Sequence, residues 1–210
     1  MKKPAKEQTK EAWFQLSGGI KCYLRDPART ITDPSIVIRT FPAAAAKICR
    51  FGAQLHTFYS LAQHSYGVAK RVKFLGGTVA QQLQGALHDS AETFLGGDIP
   101  TPVRRCISGY DELEESFLDR IFDVYQLPRK IDALVWRADD EMKVLEGESF
   151  IEGGPLDNWT HLYLKPKISR IDLRRSCFSR GEFLHPWDFK TAEAKLWKQL
   201  FDLTAAHFYS

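Results

Sequence analysis

Apolar residues recur along most of the chain at steps of three and four, the period that lays one face of an α-helix against a core. From Phe41 onward, Pro42 suits a first helical turn, Ala43 to Arg50 supplies helix formers and Gly52 offers a stop, which predicts a short helix. Leu61, His64, Val68, Val72 and Leu75 predict a second helix over residues 60–75, closed by Gly76-Gly77. Val79, Leu83, Ala86 and Leu87 predict a third over 78–93. Residues 96–102 hold two glycines and two prolines and read as a loop. Leu113, Phe117, Leu118, Ile121, Phe122 and Tyr125 mark a helix over 110–126. Ile131, Leu134, Val135, Ala138, Met142 and Leu145 mark another over 128–148, and Ala194, Leu196, Trp197, Leu200 and Phe201 a last one over 190–206.

Two stretches lack this period. Residues 13–39 carry Gly18-Gly19, Asp26-Pro27, Asp33-Pro34 and the run Ile36-Val37-Ile38, the composition of a hairpin or extended arm. Residues 149–190 are broken by Gly153-Gly154-Pro155, Lys165-Pro166 and His185-Pro186 and read as loops with a short hairpin. The expected fold is mostly α: five to seven packed helices forming one domain over 1–210, with residues 1–12 a frayed tail, an irregular N-terminal arm and a loop-rich insertion before the last helix.

Composition narrows the classes. At 210 residues, 44% hydrophobic and 26% charged, the chain is neither disordered, collagen-like nor a coiled coil. A chain of this size buries about 70% of its unfolded surface, so its core needs no structural metal, and a bound metal is free for chemistry. A formal net charge of +3 is too mild for a surface that wraps a duplex. The cluster Lys165, Lys167, Arg170, Arg174, Arg175 and Arg180 reads as a solvated or interface loop, and nucleic acid is not the expected partner. The five tryptophans read as core and interface residues. No run approaches the ~18 apolar residues of a membrane span. The Lys-rich start lacks the apolar region of a secretory signal, and Cys22, Cys49, Cys106 and Cys177 are scattered like reduced thiols, so a cytoplasmic protein is expected.

The chemistry lies in His64, the adjacent pair His88-Asp89, and Asp139, on three separate predicted helices. Imidazole and carboxylate together suit a first-row divalent ion, and facing helices are how a bundle assembles such a set. Asp89 among Leu83, Ala86, Leu87 and Ala91 needs a counter-charge, and a cation would supply it. His56, His161, His185 and His207 have no comparable support.

Several segments in order extend this pattern: Ile48-Cys49-Arg50-Phe51-Gly52, Tyr59-Ser60-Leu61-Ala62-Gln63-His64-Ser65, Leu87-His88-Asp89-Ser90-Ala91-Glu92, Gly97-Asp98-Ile99-Pro100, and Arg137-Ala138-Asp139 followed by Glu146. Over roughly residues 14–148 the chain resembles the HD-domain metal-dependent phosphohydrolases. Within them it is most similar to the compact 5′-deoxynucleotidases and the phage deoxynucleoside triphosphohydrolases, including those that act on dATP. The resemblance implies that His64, His88, Asp89 and Asp139 ligate one divalent transition metal (Co, Mn, Zn or Ni), with an additional Mg where the substrate is a triphosphate. It implies catalytic carboxylates at Glu92 and Asp98. Substrate contacts fall on Arg50, Phe51, Arg104 and Arg137; Phe51 stands where the family's nucleotidases often carry tryptophan, and Arg104 where relatives commonly have lysine. Asp139 is preferred to Asp140 because it matches the family pattern with Glu146 and lies toward the apolar side of its helix.

The expected activity is hydrolysis at the 5′ α-phosphate of a free deoxynucleotide, foremost dATP in phage nucleotide-pool metabolism, in the host cytoplasm if phage-encoded. A monophosphate 5′-nucleotidase is the alternative within the fold. A non-catalytic nucleotide-binding protein and a 3′ nuclease are the alternatives outside it. The family also implies a homo-oligomer, a dimer or higher.

Overall fold

A computed structural model of the chain describes residues 11–153 and 185–209. Most of the expected tail, and residues 154–184 of the insertion expected over 149–190, with its basic cluster, lie outside the described residues. What is described is mostly helical, with one small two-stranded sheet at the N-terminal end. Strands β1 (Trp13–Gln15) and β2 (Lys21–Tyr23) pair antiparallel with Phe14 opposite Cys22. The turn between them uses Gly18 and Gly19, both at φ 76°, where a side chain would be strained.

The arm then departs from the expectation. After the single turn α1 (Pro27–Thr30), residues 34–45 are helical rather than extended, forming α2 (Pro34–Ala45). Asp33 caps it by accepting from the Ser35 N–H at 2.8 Å, and Pro34 sits in the first turn. These start signals, together with burial of Val37 and Phe41, outweigh the β preference of Ile36-Val37-Ile38. Pro42 lies inside the helix, so the predicted start near Phe41 is in fact its last turn.

Helix α3 (Leu61–Phe74) matches the expected span and is capped by the Ser60 side chain on the Gln63 N–H. The predicted third helix is divided: α4 (Val79–Leu87) stops before His88, residues 88–91 form tight turns, and α5 (Glu92–Leu95) follows. The loop after it ends at Pro100, because Thr101 and Pro102 begin a short α6 (Thr101–Arg104). Helix α7 (Tyr110–Val124) is as predicted.

Helix α8 (Ala133–Phe150) starts later than expected. Residues 128–132 are instead held as a loop by Gln84, whose amide donates to the carbonyls of Pro128 and Lys130 and accepts from the Asp132 N–H. Asp132 then caps the helix on the Leu134 N–H. Helix α9 (Phe189–Tyr209) runs slightly longer than predicted.

Helix α3 lies at the centre, packed against α4, α8 and α9. Leu61, Leu83, Leu87, Phe94, Phe117, Ile121, Leu196 and Leu200 are among the fully buried residues of the larger core cluster. A second cluster under α8 holds Tyr59, Val68, Val72, Val135, Ala138 and Met142. Gly85 allows the close approach of α4 to α3: a Cβ there would meet Val72 Cγ2 at 3.1 Å and Val68 Cγ1 at 3.4 Å. That close packing brings the end of α4, and His88 after it, alongside α3. Of the described tryptophans, Trp13, Trp136 and Trp197 are exposed, whereas Trp187 is partly buried against the larger core cluster. No described helix is long and apolar enough to cross a membrane.

Candidate metal centre

His64 projects from the first turn of α3, His88 and Asp89 from the turn that ends α4, and Asp139 from the middle of α8. The three elements bring the four side chains to one point. His64 Nε2 lies 3.4 Å from His88 Nε2, 3.3 Å from Asp89 Oδ2 and 3.3 Å from Asp139 Oδ1. His88 Nε2 lies 3.2 Å from Asp89 Oδ1 and 3.5 Å from Asp139 Oδ1. Ligands at about 2.0–2.1 Å from one ion stand roughly 3–3.4 Å apart, so these separations suit a shared cation. His64, His88 and Asp139 are buried and form a group able to hold a metal ion. Asp89 borders it from the solvent side.

The outward faces of both rings are engaged. His64 Nδ1 donates to Glu146 Oε1 at 2.8 Å, and the same oxygen accepts from the Tyr59 hydroxyl at 3.0 Å. His88 Nδ1 donates to the Gly85 carbonyl at 2.8 Å. With Nδ1 carrying the proton, each neutral ring turns its Nε2 lone pair to the common point, as a metal-binding histidine must. Asp139 Oδ1 is fully buried and accepts no hydrogen bond, although two imidazole nitrogens stand near it; Oδ2 is paired with Lys143 one turn along α8. An orphaned carboxylate oxygen aimed at two imidazole nitrogens is the arrangement a cation resolves.

Charge points the same way. Asp89, Asp98, Asp139 and Glu146 outnumber Arg50 and Lys143, the permanent cations paired with them among the described residues. Burial opposes the charged form of His88, yet Asp89 and Asp139 outweigh it and raise the ring to about 9. For Asp89, burial is likewise outweighed, by His88, His64 and Arg50, and its carboxyl is held well below the usual range. Glu92 is the exception: burial, with Asp89 and Asp98 beside it, pushes it well above an ordinary glutamate. Its Oε2 is buried with no hydrogen-bond partner among the described residues.

Glu92 opens α5 rather than continuing α4, but the backbone between them is tight. The Glu92 N–H reaches the Asp89 carbonyl at 3.2 Å and the Thr93 N–H the Ser90 carbonyl at 3.2 Å, so the three-residue spacing still places Glu92 beside Asp89. Arg50 is 5% exposed and donates to Asp89 at 3.2 Å, with Asp98 also at 3.2 Å. It is set by a short antiparallel bridge between Cys49 and Ser60 that runs directly into the cap of α3. The following residues turn sharply, with positive φ at Phe51, Gly52 and Ala53. A Cβ on Gly52 would meet Pro100 Cγ at 3.2 Å, so this turn lies against the loop that carries Asp98.

All of this opens into a cavity of about 780 Å³ whose walls include Arg50, Phe51, His88, Asp89, Glu92, Asp98 and Arg104. Nine of the ten expected site residues thus lie at the metal point or on the cavity. Arg137 does not. On α8 the next residue back, Trp136, faces the cavity, while Arg137 is rotated by about 100° and bonds Glu141 at 2.9 Å. Arg104 lines the cavity, but its guanidinium is held by Glu114 and Asp111. Asp139 is fully buried and Asp140 only half so, with burial and Asp139 raising the Asp140 carboxyl to about 6. Sequence reasoning missed Lys143, Tyr59, Trp136 and the contact of Glu146 with His64. Only Lys143 left a readable trace, as the (i, i+4) partner of Asp139.

No family model matches the chain. It is similar to an Escherichia coli K12 protein that carries the name uncharacterized protein YfdR, with 32% identity over 111 residues, 52% of this chain. The match spans 58% of that relative's length.

Proposed function

We propose that the chain is a divalent-metal phosphohydrolase of the HD type that cleaves free deoxynucleotides at the 5′ α-phosphate, with deoxynucleoside triphosphates, dATP foremost, as substrates. The observation that carries this reading is the convergence of His64, His88, Asp89 and Asp139 to ligand-to-ligand spacings at the base of a cavity that also holds Arg50, Glu92 and Asp98. Those four residues would hold the ion. When bound, a divalent cation supplies positive charge at the phosphoryl oxygens and makes a water acidic enough to attack.

The remaining work falls to the chain's own side chains. Arg50 is buried and charged, and burial of its guanidinium is outweighed by Asp98 and Asp89. A phosphate entering beside Asp89 offers it charge-assisted hydrogen bonds, stronger than those between neutral groups. Glu92, on the cavity wall beside Asp89 and Asp98 and with its carboxyl pushed up by burial, is able to give a proton to a leaving oxygen or to exchange one with the attacking water. Glu146 holds the His64 ring through Nδ1 and so presents Nε2. Phe51, Ile99, Pro100 and Trp136 give the cavity apolar wall suited to a sugar and base.

One observation favours the monophosphate reading of the same chemistry. Arg137 faces away from the cavity, and on the described wall Arg104 is engaged by Glu114 and Asp111, Arg129 by Asp119 and Asp123 and Lys143 by Asp139, which leaves Lys130 for the β- and γ-phosphates unless a second ion, such as Mg, accompanies them. A substrate panel separates the readings. The protein is loaded with Co, Mn, Zn or Ni, with and without Mg, and tested on each dNMP, dNTP and ribonucleotide. Release of intact triphosphate from dATP, absent in Asp89→Ala, is the expected result. Phosphate release from dNMPs alone would make it a nucleotidase. Absence of turnover by folded, metal-loaded protein would overturn the free-nucleotide reading.

A further inference from the structure

A second concave site lies on the opposite face of α3 and shares no lining residue with the cavity above. It is a groove of about 420 Å³ between α3 and α9, lined by Lys70 and Lys73 from α3 and Lys195 and Lys198 from α9. Among the described residues Asp202 is the one carboxylate on its wall, so the described lining carries a net charge of +3, as much as the whole chain. Asp202 is taken by Lys198 at 2.7 Å. Lys70 and Lys73 form no ion pair among the described residues.

The groove is organised around Tyr66. Lys70 Nζ stands 5.3 Å and Lys195 Nζ 5.9 Å from the centre of its ring, and Lys195 Nζ is also 4.7 Å from the centre of Trp187. Trp187 meets the Tyr66 ring edge-on at 5.1 Å, and Gln199 bonds the Tyr66 carbonyl at 3.2 Å. The two ammonium groups are thus brought over one ring from two different helices, where ring electron density offsets part of their mutual repulsion. The position of Lys73 in the last turn of α3 suits the helix dipole, but Lys195 and Lys198, well inside α9, gain nothing from that source.

We propose that this groove binds a small anion carrying two or three adjacent phosphate groups. Lysine meets phosphate as a mobile point charge, and several lysines from facing helices match clustered phosphates better than a single one. The volume lies in the range of small-molecule sites. A single-stranded nucleic acid fits less well, because it needs open aromatic faces for its bases, and Tyr66 is covered by cations and by the edge contact with Trp187. The site is independent of the metal centre and does not rest on the phosphohydrolase reading.

The test is calorimetric titration of the full chain, freed of metal with EDTA, with sodium tripolyphosphate and, separately, with a single-stranded 12-mer. Tripolyphosphate is expected to bind once per chain in the native protein and equally in Asp89→Ala, which removes a metal ligand but leaves the groove. In Lys70→Glu/Lys195→Glu the affinity is expected to fall at least ~10-fold, as it does when charges facing an anion are reversed. If that variant does not fold, Lys70→Gln/Lys195→Gln gives the same contrast with a smaller fall, and hydrogen exchange should show protection by tripolyphosphate over residues 66–73 and 195–203. Absence of binding, undiminished affinity in folded groove variants, loss of binding in Asp89→Ala, or tighter binding of the 12-mer than of tripolyphosphate would each overturn the proposal.

Discussion

Two buried ionic clusters lie along the contact between α3 and α8, and they are built in opposite ways. In one, Arg71 from α3 meets Glu141 from α8, and Arg137 bonds the other oxygen of Glu141. Both Glu141 oxygens are satisfied and both signs of charge are present, so this cluster closes on itself. In the other, His64 of α3 and Asp139 of α8 converge with His88 and Asp89, yet Asp139 Oδ1, Glu92 Oε2 and Glu146 Oε2 accept no hydrogen bond. The first cluster joins two helices. The second keeps unspent acceptor capacity at a shared point beside a cavity, an arrangement that could hold a cation. Burial alone does not distinguish a structural ion pair from a metal site; the balance of donors and acceptors does.

The comparison is broken most sharply by exchanging the fates of the two clusters. Asp89→Ala is expected to abolish metal retention, measured by elemental analysis of the dialysed protein, and to lower turnover at least ~10³-fold, the scale of several kcal/mol of lost charge stabilisation. Metal added to the native protein should raise its melting temperature, and that rise should vanish in the same variant.

Glu141→Ala is expected to act the other way. It removes the carboxylate that faces the buried guanidinium of Arg71 and should cost about 3–5 kcal/mol in chemical denaturation while metal content per folded chain is unchanged. Equal loss of metal in both variants would show that the clusters are not separate in function. Between these lies Glu146→Gln, which keeps the contact with His64 but weakens it. Metal affinity, read by competition with a chelator, should fall about 10–100-fold with little change in stability.

A smaller effect comes from a buried group remote from both clusters. Burial pushes the Cys22 thiol up to about 11, and its Sγ donates to the Phe94 carbonyl at 3.6 Å. A raised folded value means that this contribution is complete below the ordinary thiol range near 9 and is lost as pH rises through about 11. The native protein should therefore lose about 2–3 kcal/mol more than Cys22→Ala between pH 9 and pH 11. Parallel pH profiles for the two would show that the thiol is not tied to the folded state. The smallest change is expected for Arg137→Ala, whose exposed side chain faces Glu141 rather than the cavity: turnover should stay within ~3-fold of native.

Much of this arrangement was legible in the chain itself. The period of apolar residues marks α3, α7, α8 and α9, because each must bury one stripe and the stripe is written at fixed spacing. It also marks His64 and Asp139 as polar residues on otherwise inward faces, and Asp89 as a carboxylate without a local counter-charge. The start of α2 was legible too, in Asp33-Pro34, but it competes with the β-branched residues that follow, and only the packing of Val37 and Phe41 into the core decides in favour of helix. Nothing local shows that α4 ends before His88, since the apolar period runs on past that point. Nor does spacing show which side of α8 faces the cavity, so Arg137 and Trp136 exchange their expected places. The sequence by itself determined which side chains must be buried and which of them lack a partner nearby. Only the tertiary structure decided which of those residues meet, because a separation of 3.3 Å between His64 and Asp139 depends on how two helices cross, and residues far apart in the chain carry no record of that crossing.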